Sequence, residues 1–373
     1  MSVPDSPVFS APPTSAASRI TWVEPSAGFI GLSLLNGLLR ILTLGVYHFW
    51  GKTEVRQRIW SAVRIDGEPL EYRGTGGELF RGFLIVFGLV LVPIGVITFV
   101  VPLLIGVSGA GRGGYEFALW GLFFLLSGLG IHRARRYRLS RTCWRGVRGG
   151  LSGRSAPFAW TYLWTTALIP LTLGWILPWR AVRLQRTLFN ETYFGDKPFV
   201  FTARAGPLYK RFWLVWLAGA IIFLLTLSLV GAVVMRVLPL AGMSLPSPAQ
   251  LGRAEVALVI VIILVGLFVF AMIRAWYSSG MFNYFASQTR YQNAGFTLRA
   301  TVPSLVWLVA TNFLIRVLSL GFLWPVAEAR ATRYLVDRLS LDGAVPWPEV
   351  GQNTDALLQR GEGLAEAFNV DAF

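Results

Sequence analysis

The chain has 373 residues, of which 54% are hydrophobic and 14% are charged, and its formal net charge is +15. Soluble globular domains carry about 25% charged residues, so this composition excludes a protein whose main solvent is water. The arginines and lysines lie in blocks between apolar runs, as in the cytoplasmic loops of membrane proteins, so the charge does not indicate nucleic-acid binding.

The chain divides into three regions by composition. Residues 1–27 are predicted to form a disordered N-terminal arm, because the segment up to Arg19 is rich in proline, serine and alanine and lacks the pattern of a cleaved signal peptide. We expect residues 28–343 to form a membrane domain and residues 344–373 to form an acidic cytoplasmic tail.

Five apolar runs are candidates for membrane spans, since about 20 apolar residues cross a bilayer. Gly82–Ser108, Ser155–Trp179 and Phe212–Met235 are long enough, Val256–Ile273 is near the lower limit, and Phe117–Ile131 is short. Gly82–Ser108 with Phe117–Ile131, and Phe212–Met235 with Val256–Ile273, are predicted to be helical hairpins with both ends on the basic side.

A second kind of segment occurs three times between and beside these hairpins. The copies are "LTLGVYHFWGKTEVRQR" from Leu42, "LTLGWILPWRAVRLQR" from Leu171 and "LSLGFLWPVAEARATR" from Leu318. They predict three internal repeats, near residues 29–75, 158–203 and 303–345. The fold class expected is therefore an all-α polytopic membrane protein, in which helical hairpins alternate with three copies of a broken-helix motif.

Each copy is predicted to bend a helix at the membrane surface. Glycine and proline inside a helix cost about 1 and 3 kcal/mol relative to alanine, so the break is built into the motif. A tryptophan marks the bend and arginines follow it, which is the pattern of an interfacial basic helix. The candidate residues for contact with lipid headgroups or the interface are Trp50, Arg56, Arg58, Trp179, Arg183, Arg186, Trp324, Arg330 and Arg333.

The path of the motif helices through the membrane has two interpretations. Ser155–Trp179 and Ala300–Ala327 are flanked by basic residues on both sides. Either these helices re-enter and only the hairpins cross, which gives four spans, or every segment crosses, which gives seven. The positive-inside rule favours re-entry.

The first and third copies carry a polar pair that the second lacks. Asn36 and Arg40 precede the first motif glycine as Asn312 and Arg316 precede the third, four residues apart on one helix face. One hypothesis is a polar path between the two copies, lined by these four residues. The alternative is that both arginines extend to the headgroups.

The sequence offers no convincing catalytic or metal-binding constellation. Two histidines, His48 and His132, lie apart from cysteines and paired carboxylates, so we expect no metal site, no cofactor and no enzymatic activity. The expected partner is the lipid bilayer, with anionic phospholipids, and self-association is left open.

With these motifs in hand, the chain resembles the YjgN-like family of bacterial inner-membrane proteins, whose function is unknown. The resemblance is carried by "FIGLSLLNGLLRILTLGVYHFWGKTEVRQR", Phe29–Arg58, and by the copy that starts at Leu171. It covers most of Phe29–Gly343 in outline and departs at Phe49, where the family favours proline, and at the inverted Trp324 and Pro325. It implies a multi-pass protein of the bacterial inner membrane and transfers no catalytic residues.

Two functions remain from the sequence. The first is a transporter or channel for an anionic small solute, built from repeats with broken helices. The second is a non-catalytic membrane-organising protein whose basic interfacial helices bind anionic headgroups.

Overall fold

The computed structural model of the protein describes residues 18–105, 110–237 and 253–352. This part of the chain contains eleven α-helices and eleven β-strands. The helices are α1 Ile30–Leu42, α2 His48–Ala62, α3 Gly76–Val86, α4 Val92–Ile105, α5 Ala110–Arg141, α6 Ser155–Leu171, α7 Leu177–Asn190, α8 Gly206–Val237, α9 Arg253–Ser287, α10 Val302–Leu318 and α11 Trp324–Val336. The strands are β1 Ile20–Trp22, β2 Val63–Ile65, β3 Glu68–Pro69, β4 Glu71–Tyr72, β5 Thr142–Trp144, β6 Val147–Leu151, β7 Thr192–Phe194, β8 Lys197–Phe201, β9 Thr289–Tyr291, β10 Ala294–Leu298 and β11 Leu339–Asp342.

The strands form an antiparallel meander that follows the chain. Strands β1 to β3 form one sheet and β4 to β11 form a second, each in sequence order, and β1 also contacts β11. The turns between β2 and β3 and between β5 and β6 have positive φ at both central residues, Asp66 and Gly67, and Arg145 and Gly146. These are the angles of the type I′ turn, whose twist matches that of a two-stranded hairpin.

If α3 and α4, which a π-helical turn joins, are counted as one arm, the helices between strands form five pairs, and each pair leaves and rejoins neighbouring strands. α1 and α2 connect β1 to β2, α3 to α5 connect β4 to β5, α6 and α7 connect β6 to β7, α8 and α9 connect β8 to β9, and α10 and α11 connect β10 to β11. Each of these strand pairs is antiparallel and hydrogen-bonded. Every helix pair therefore starts and ends at the sheet.

Only two of the five pairs contain helices long enough to cross a membrane. Within the described residues the candidates are Gly76–Leu104, Gly113–Arg141, Gly206–Ser228 and Val265–Ser287. A π-helical turn, Phe87–Leu91, joins α3 to α4 within the first of them. The run Ser155–Trp179, long enough by composition to cross, is divided in the structure between α6 and α7.

The three motif turns have the same backbone geometry. Leu44, Leu173 and Leu320 have φ of 51°, 49° and 50°, and the glycine that follows each has φ of 93°, 81° and 84°. The glycine N–H donates to the carbonyl five residues earlier at 2.7, 2.8 and 2.8 Å, and the leucine N–H donates to the carbonyl three residues earlier. This is the Schellman cap, formed here with leucine in the left-handed position that usually takes glycine.

A hydroxyl group in each turn joins the helix that ends to the helix that begins. Ser319 Oγ donates to the Ile315 carbonyl at 2.6 Å and accepts from the Leu323 N–H at 3.1 Å. Thr43 makes the same two bonds with Leu39 and Tyr47, at 2.7 and 2.9 Å. The second position of the motif is thus a hydroxyl residue, because its oxygen is the shared hydrogen-bond partner of two backbone groups of the bend.

The segment that follows β11 packs against side chains of the sheet. Trp347 lies against the rings of Trp144, Phe194 and Tyr291, at centroid distances of 4.5, 6.2 and 6.2 Å. Its indole N–H donates to Ser18 Oγ at 2.8 Å. Burial raises the pKa of the Tyr291 phenol above its ordinary value of 10.0.

Beyond Trp347, the same segment is hydrogen-bonded to the turn between β7 and β8. The Asp196 N–H donates to the Gly351 carbonyl at 3.0 Å, and the Gly351 N–H donates to Asp196 Oδ1 at 3.1 Å. The Lys197 ammonium, which lies 3.0 Å from the Asp196 carboxylate, lowers the pKa of that carboxyl. The first nine residues of the predicted tail, 344–352, are therefore part of the folded domain, and residues 353–373 lie outside the described residues.

Two sequence predictions are corrected by these observations. The fold is mostly helical but not all-α, because the described residues also form strands. The sequence did not reveal them, since strands of two to five residues are too short to show an alternating pattern. The predicted arm does not extend to residue 27, because Ile20–Trp22 forms β1 and pairs with β2. Residues 1–17 lie outside the described residues.

Candidate functional site

Each motif turn carries a highly exposed leucine. Leu44, Leu173 and Leu320 are 95%, 76% and 88% exposed, so the tips of the three shorter helix pairs are apolar. Such residues are costly to leave in water, at about 25 cal/mol per Å² of apolar surface. The three tips are therefore exposed apolar surfaces.

The asparagines predicted for a polar path each join the two helices of one motif. Asn36 is 9% exposed, and its Nδ2 donates to the Gly51 carbonyl at 3.3 Å. Asn312 is 6% exposed, and its Nδ2 donates to the Ala327 carbonyl at 3.0 Å. Both pairs are separated by fifteen residues. Each asparagine thus ties the helix before the turn to the helix after it.

A cavity of about 680 Å³ lies between the first and third motifs. Its walls come from α1, α2 and the turn between them on one side, and from the third turn and the start of α11 on the other. Its polar lining residues are Ser33, Asn36, Arg40, Tyr47, His48, Lys52 and Glu328. Leu44 and Leu320, the leucines of the two turns, also line it. The cavity is therefore amphipathic and adjoins two apolar tips.

Arg40 is the charged group of this cavity that has no partner in the structure. It lies in the last turn of α1, and its guanidinium neither hydrogen-bonds to nor forms an ion pair with any described residue. Arg316, the matching residue of the third motif, instead stacks on Trp324 with 4.0 Å from its guanidinium carbon to the ring centroid. Of the four residues predicted for a polar path, the structure places Asn36 and Arg40 at the cavity, whereas Asn312 and Arg316 do not line it.

The glycine Gly37 gives the cavity its shape. A Cβ at this position would overlap the ring of Phe322, the residue after the third motif glycine. α1 therefore lies directly against the third turn at Gly37, and the cavity opens beside this contact. The sequence alone did not single out Gly37 or Phe322, although Gly37 is flanked by the only asparagine of α1 and by leucines.

The arginines predicted for the interface have different surroundings. Arg56 is 7% exposed and donates to the Tyr72 hydroxyl at 3.4 Å, so it stabilises the packing of α2 on β4 rather than facing headgroups. Three others bond to neighbouring backbone or hydroxyl oxygens, and a fourth forms an ion pair with Glu24: Arg58 with Gly28, Arg186 with Ala203, Arg330 with Thr311, and Arg333 with Glu24. Arg183 is exposed, and no described residue bonds to its guanidinium.

The three predicted boundary tryptophans are partly exposed, as an interfacial position requires. Trp50, Trp179 and Trp324 are 37%, 37% and 44% exposed. Trp50 packs on Phe80 at 5.6 Å and Trp179 on Trp164 at 5.6 Å between ring centroids. Lipid contact at these positions stays a prediction.

Within the described ranges, no group of three or more histidine, cysteine, aspartate or glutamate side chains could hold a metal ion. His132 is fully buried, with Nε2 at 2.8 Å from Glu191 and Nδ1 at 3.1 Å from Ser155. These bonds join α5, α6 and α7 away from the cavity. His48, the other histidine, lies on the cavity wall.

Comparison with known proteins places the chain in a family. A model described as "Bacterial protein of unknown function (DUF898)" matches residues 25–367. The chain belongs to this family. A segment of 146 residues is 27% identical to inner membrane protein YjgN of Salmonella typhimurium, which agrees with the resemblance seen in the motifs. No solved structure matches.

The matched segment is 39% of this chain and 34% of that relative, so the chain aligns with about a third of the Salmonella protein. Together with the four helices long enough to cross a bilayer, the match makes this member of the family a multi-pass protein of the bacterial inner membrane. The family has no known function, so activity has to be argued from the site.

Proposed function

We propose that this protein binds an anionic amphiphile of the cytoplasmic leaflet in the cavity between the first and third motif turns, and that it is not an enzyme. The observation that carries the proposal is the guanidinium of Arg40, which lines an amphipathic cavity and has no partner among the described residues. An arginine offers five N–H donors in a planar fork, which suits a phosphate or carboxylate.

The proposal includes a path for the chain through the membrane. In this proposal the three motif segments are copies of one unit. Their similar turn angles and hydrogen bonds support this. α5, with 32 residues, is about 48 Å long, and α10, with 17 residues, is about 25 Å long, at about 1.5 Å per residue. Since the hydrocarbon core is about 30 Å thick, the long helices cross it and the motif tips enter one leaflet only.

The basic residues favour the cytoplasmic side for the sheet. Arg138 and Arg141 end α5 at β5, and Lys197 begins β8, so positive charge surrounds the strands. Under the positive-inside rule the sheet is cytoplasmic and the tips point into the cytoplasmic leaflet. The cavity beside the tips then faces lipid headgroups and the first part of their acyl chains.

The size and lining of the cavity support a lipid as its occupant. Cavities that bind small molecules typically have about 300–1,000 Å³, and the volume here is about 680 Å³. Leu44 and Leu320 line it at its tip side, next to the acyl region, and Arg40 and Lys52 supply positive charge. A headgroup that bears negative charge therefore fits the charged part, and acyl chains fit along the leucines.

Two matched arginine variants test the proposal. Arg40→Gln removes the charge at the cavity, and Arg183→Gln removes a similarly unpartnered arginine that does not line it. Anionic phospholipid that remains with the purified protein is extracted and counted per protein chain. We expect Arg40→Gln to lose one bound lipid and Arg183→Gln to keep it. Equal lipid content in all three proteins would contradict the proposal.

Transport of an anionic solute is the second candidate, and the same unpartnered Arg40 favours it, because an unpaired guanidinium attracts any small anion. The two functions differ in flux. Proteoliposomes loaded with labelled phosphate would show release that depends on Arg40 if the protein transports such anions, and no release above empty liposomes if it only holds lipid.

A further inference from the structure

We propose that the ligand of the cavity is a phospholipid with a phosphodiester headgroup that carries a free hydroxyl group. This inference rests on the proposed function and deepens it, because it specifies the headgroup. It is carried by a second polar residue of the cavity wall, Asn36, whose amide oxygen has no hydrogen-bond partner among the described residues.

Only the nitrogen of the Asn36 side-chain amide has a hydrogen-bond partner among the described residues. Its Nδ2 donates to the Gly51 carbonyl at 3.3 Å, whereas its Oδ1 is buried and accepts no hydrogen bond from any described residue. The side chain is 9% exposed and lines the cavity. An amide oxygen can only accept hydrogen bonds, so a ligand that completes this site has to donate one.

Asn36 and Arg40 are spaced to contact one headgroup. They are four residues apart on α1, and side chains at this spacing lie about 5–6 Å apart on one helix face. Arg40 donates only and Asn36 Oδ1 accepts only, so the ligand needs an acidic oxygen and, a few ångströms away, a hydroxyl or other donor. A phosphodiester esterified to glycerol has both groups at that distance.

The far wall of the cavity supports the same assignment. Glu328 of α11 lines the cavity opposite α1, and a carboxylate is a second acceptor for a hydroxyl donor. The glycerol group of such a headgroup has two hydroxyls, one for each acceptor. A choline headgroup or a simple alkyl ester carries no hydroxyl and leaves the Asn36 oxygen without a partner.

The third motif provides an internal control. Asn312 has the same bond to the helix after its turn, and its Oδ1 likewise has no partner among the described residues, but it does not line the cavity. Replacing Asn312 therefore removes the same kind of interhelical bond at a residue that does not line the cavity. A difference in lipid binding between variants at positions 36 and 312 therefore reports on contact with the ligand.

The test compares two lipids of equal charge and equal acyl chains. Phosphatidylglycerol has two headgroup hydroxyls, and phosphatidylpropanol has none. Both are titrated onto delipidated wild-type protein in detergent, and binding is read by native mass spectrometry. We expect phosphatidylglycerol to bind about tenfold more tightly, the effect of one or two buried hydrogen bonds. Equal binding of the two lipids by the wild-type protein would overturn the inference, and this comparison needs no variant to fold.

The variants assign the preference to Asn36. We expect Asn36→Leu to bind both lipids with the same affinity and Asn312→Leu to keep the tenfold preference. If Asn36→Leu keeps the preference, the headgroup assignment is wrong. If Arg40→Gln binds both lipids as tightly as the wild-type protein, the proposed function itself is wrong, so the two failures are distinguishable.

Discussion

Gly37 of α1 lies directly against the ring of Phe322, with no space between them for a side chain. The contact joins the first and third motifs, which are almost three hundred residues apart in sequence, and it sets the distance between the two walls of the cavity. The site therefore depends on two parts of the chain together: α1, which precedes the first motif turn, and Phe322, which follows the third motif glycine.

A larger residue at position 37 should separate these walls. Gly37→Leu would force the Phe322 ring aside, and overpacking of this kind typically costs about 1–3 kcal/mol of the free energy of unfolding. We expect a lower melting temperature of the detergent-solubilised protein and loss of bound lipid. Gly31→Ala is the matched control in the same helix, because a Cβ there meets nothing within 4 Å. A destabilisation that is equal in both variants would contradict the role of the contact.

Removing the hydroxyl group that joins the two helices of a motif turn should lower the stability by a small amount. Ser319→Ala removes the bond to the Ile315 carbonyl and the bond from the Leu323 N–H, so we expect a loss of about 1 kcal/mol per turn in chemical unfolding. Ser319→Thr keeps the hydroxyl, as the first two turns do, and should unfold like the wild-type protein. If Ser319→Ala is as stable as Ser319→Thr, the hydroxyl does not join the helices.

The paired strands predict which residues share a side of the membrane. Single cysteines at Arg138 and Lys197, in a background with Cys143 replaced, should both react with a membrane-impermeant thiol reagent from the cytoplasmic side only. A cysteine at Gly113, at the end of the candidate span Gly113–Arg141 that is opposite to Arg141, should react from the periplasmic side. Periplasmic labelling of Lys197 but not of Arg138 would mean that α6 and α7 cross the bilayer together.

The C-terminal segment should detach from the sheet at low pH. The hydrogen bond from Lys197, followed by those from backbone N–H groups, lowers the pKa of Asp196 below its ordinary value of 3.8. A lowered pKa means that the folded state gains stability above pH 3.8, and that this gain is lost as the pH falls through the lowered value. We expect protease cleavage after Gly343 to increase in that range. Asp196→Asn should show the increased cleavage at neutral pH, and unchanged cleavage in this variant would contradict the contribution of Asp196.

Several features could be predicted from the sequence for physical reasons. The motif bends could be predicted, since a glycine interrupts the apolar run at Gly45, Gly174 and Gly321 and is unfavourable inside a helix. The long helical hairpins could be predicted from the length of the apolar runs in the sequence. The sheet was mostly missed, because a strand such as Glu71–Tyr72 has two residues and no period, and its partner Thr142–Trp144 lies seventy residues later.

The site was predicted in part. The spacing of Asn36 and Arg40 pointed to a polar surface, because an arginine among leucines is costly unless it has a use. The expected symmetry with Asn312 and Arg316 does not extend to the cavity, since Trp324 covers Arg316. That difference depends on how α1 meets the third turn through Gly37 and Phe322, a tertiary contact that local sequence does not contain.

Photo-crosslinking would show where on the protein the ligand binds. Phosphatidylglycerol with a photoreactive group near its headgroup is incorporated into membranes that contain the protein, irradiated, and the labelled peptides are mapped. We expect labels within residues 33–55 and 320–328, the two walls of the cavity, and their loss in Arg40→Gln. Labels confined to α8 and α9, or equal labelling of the wild-type protein and Arg40→Gln, would contradict this expectation.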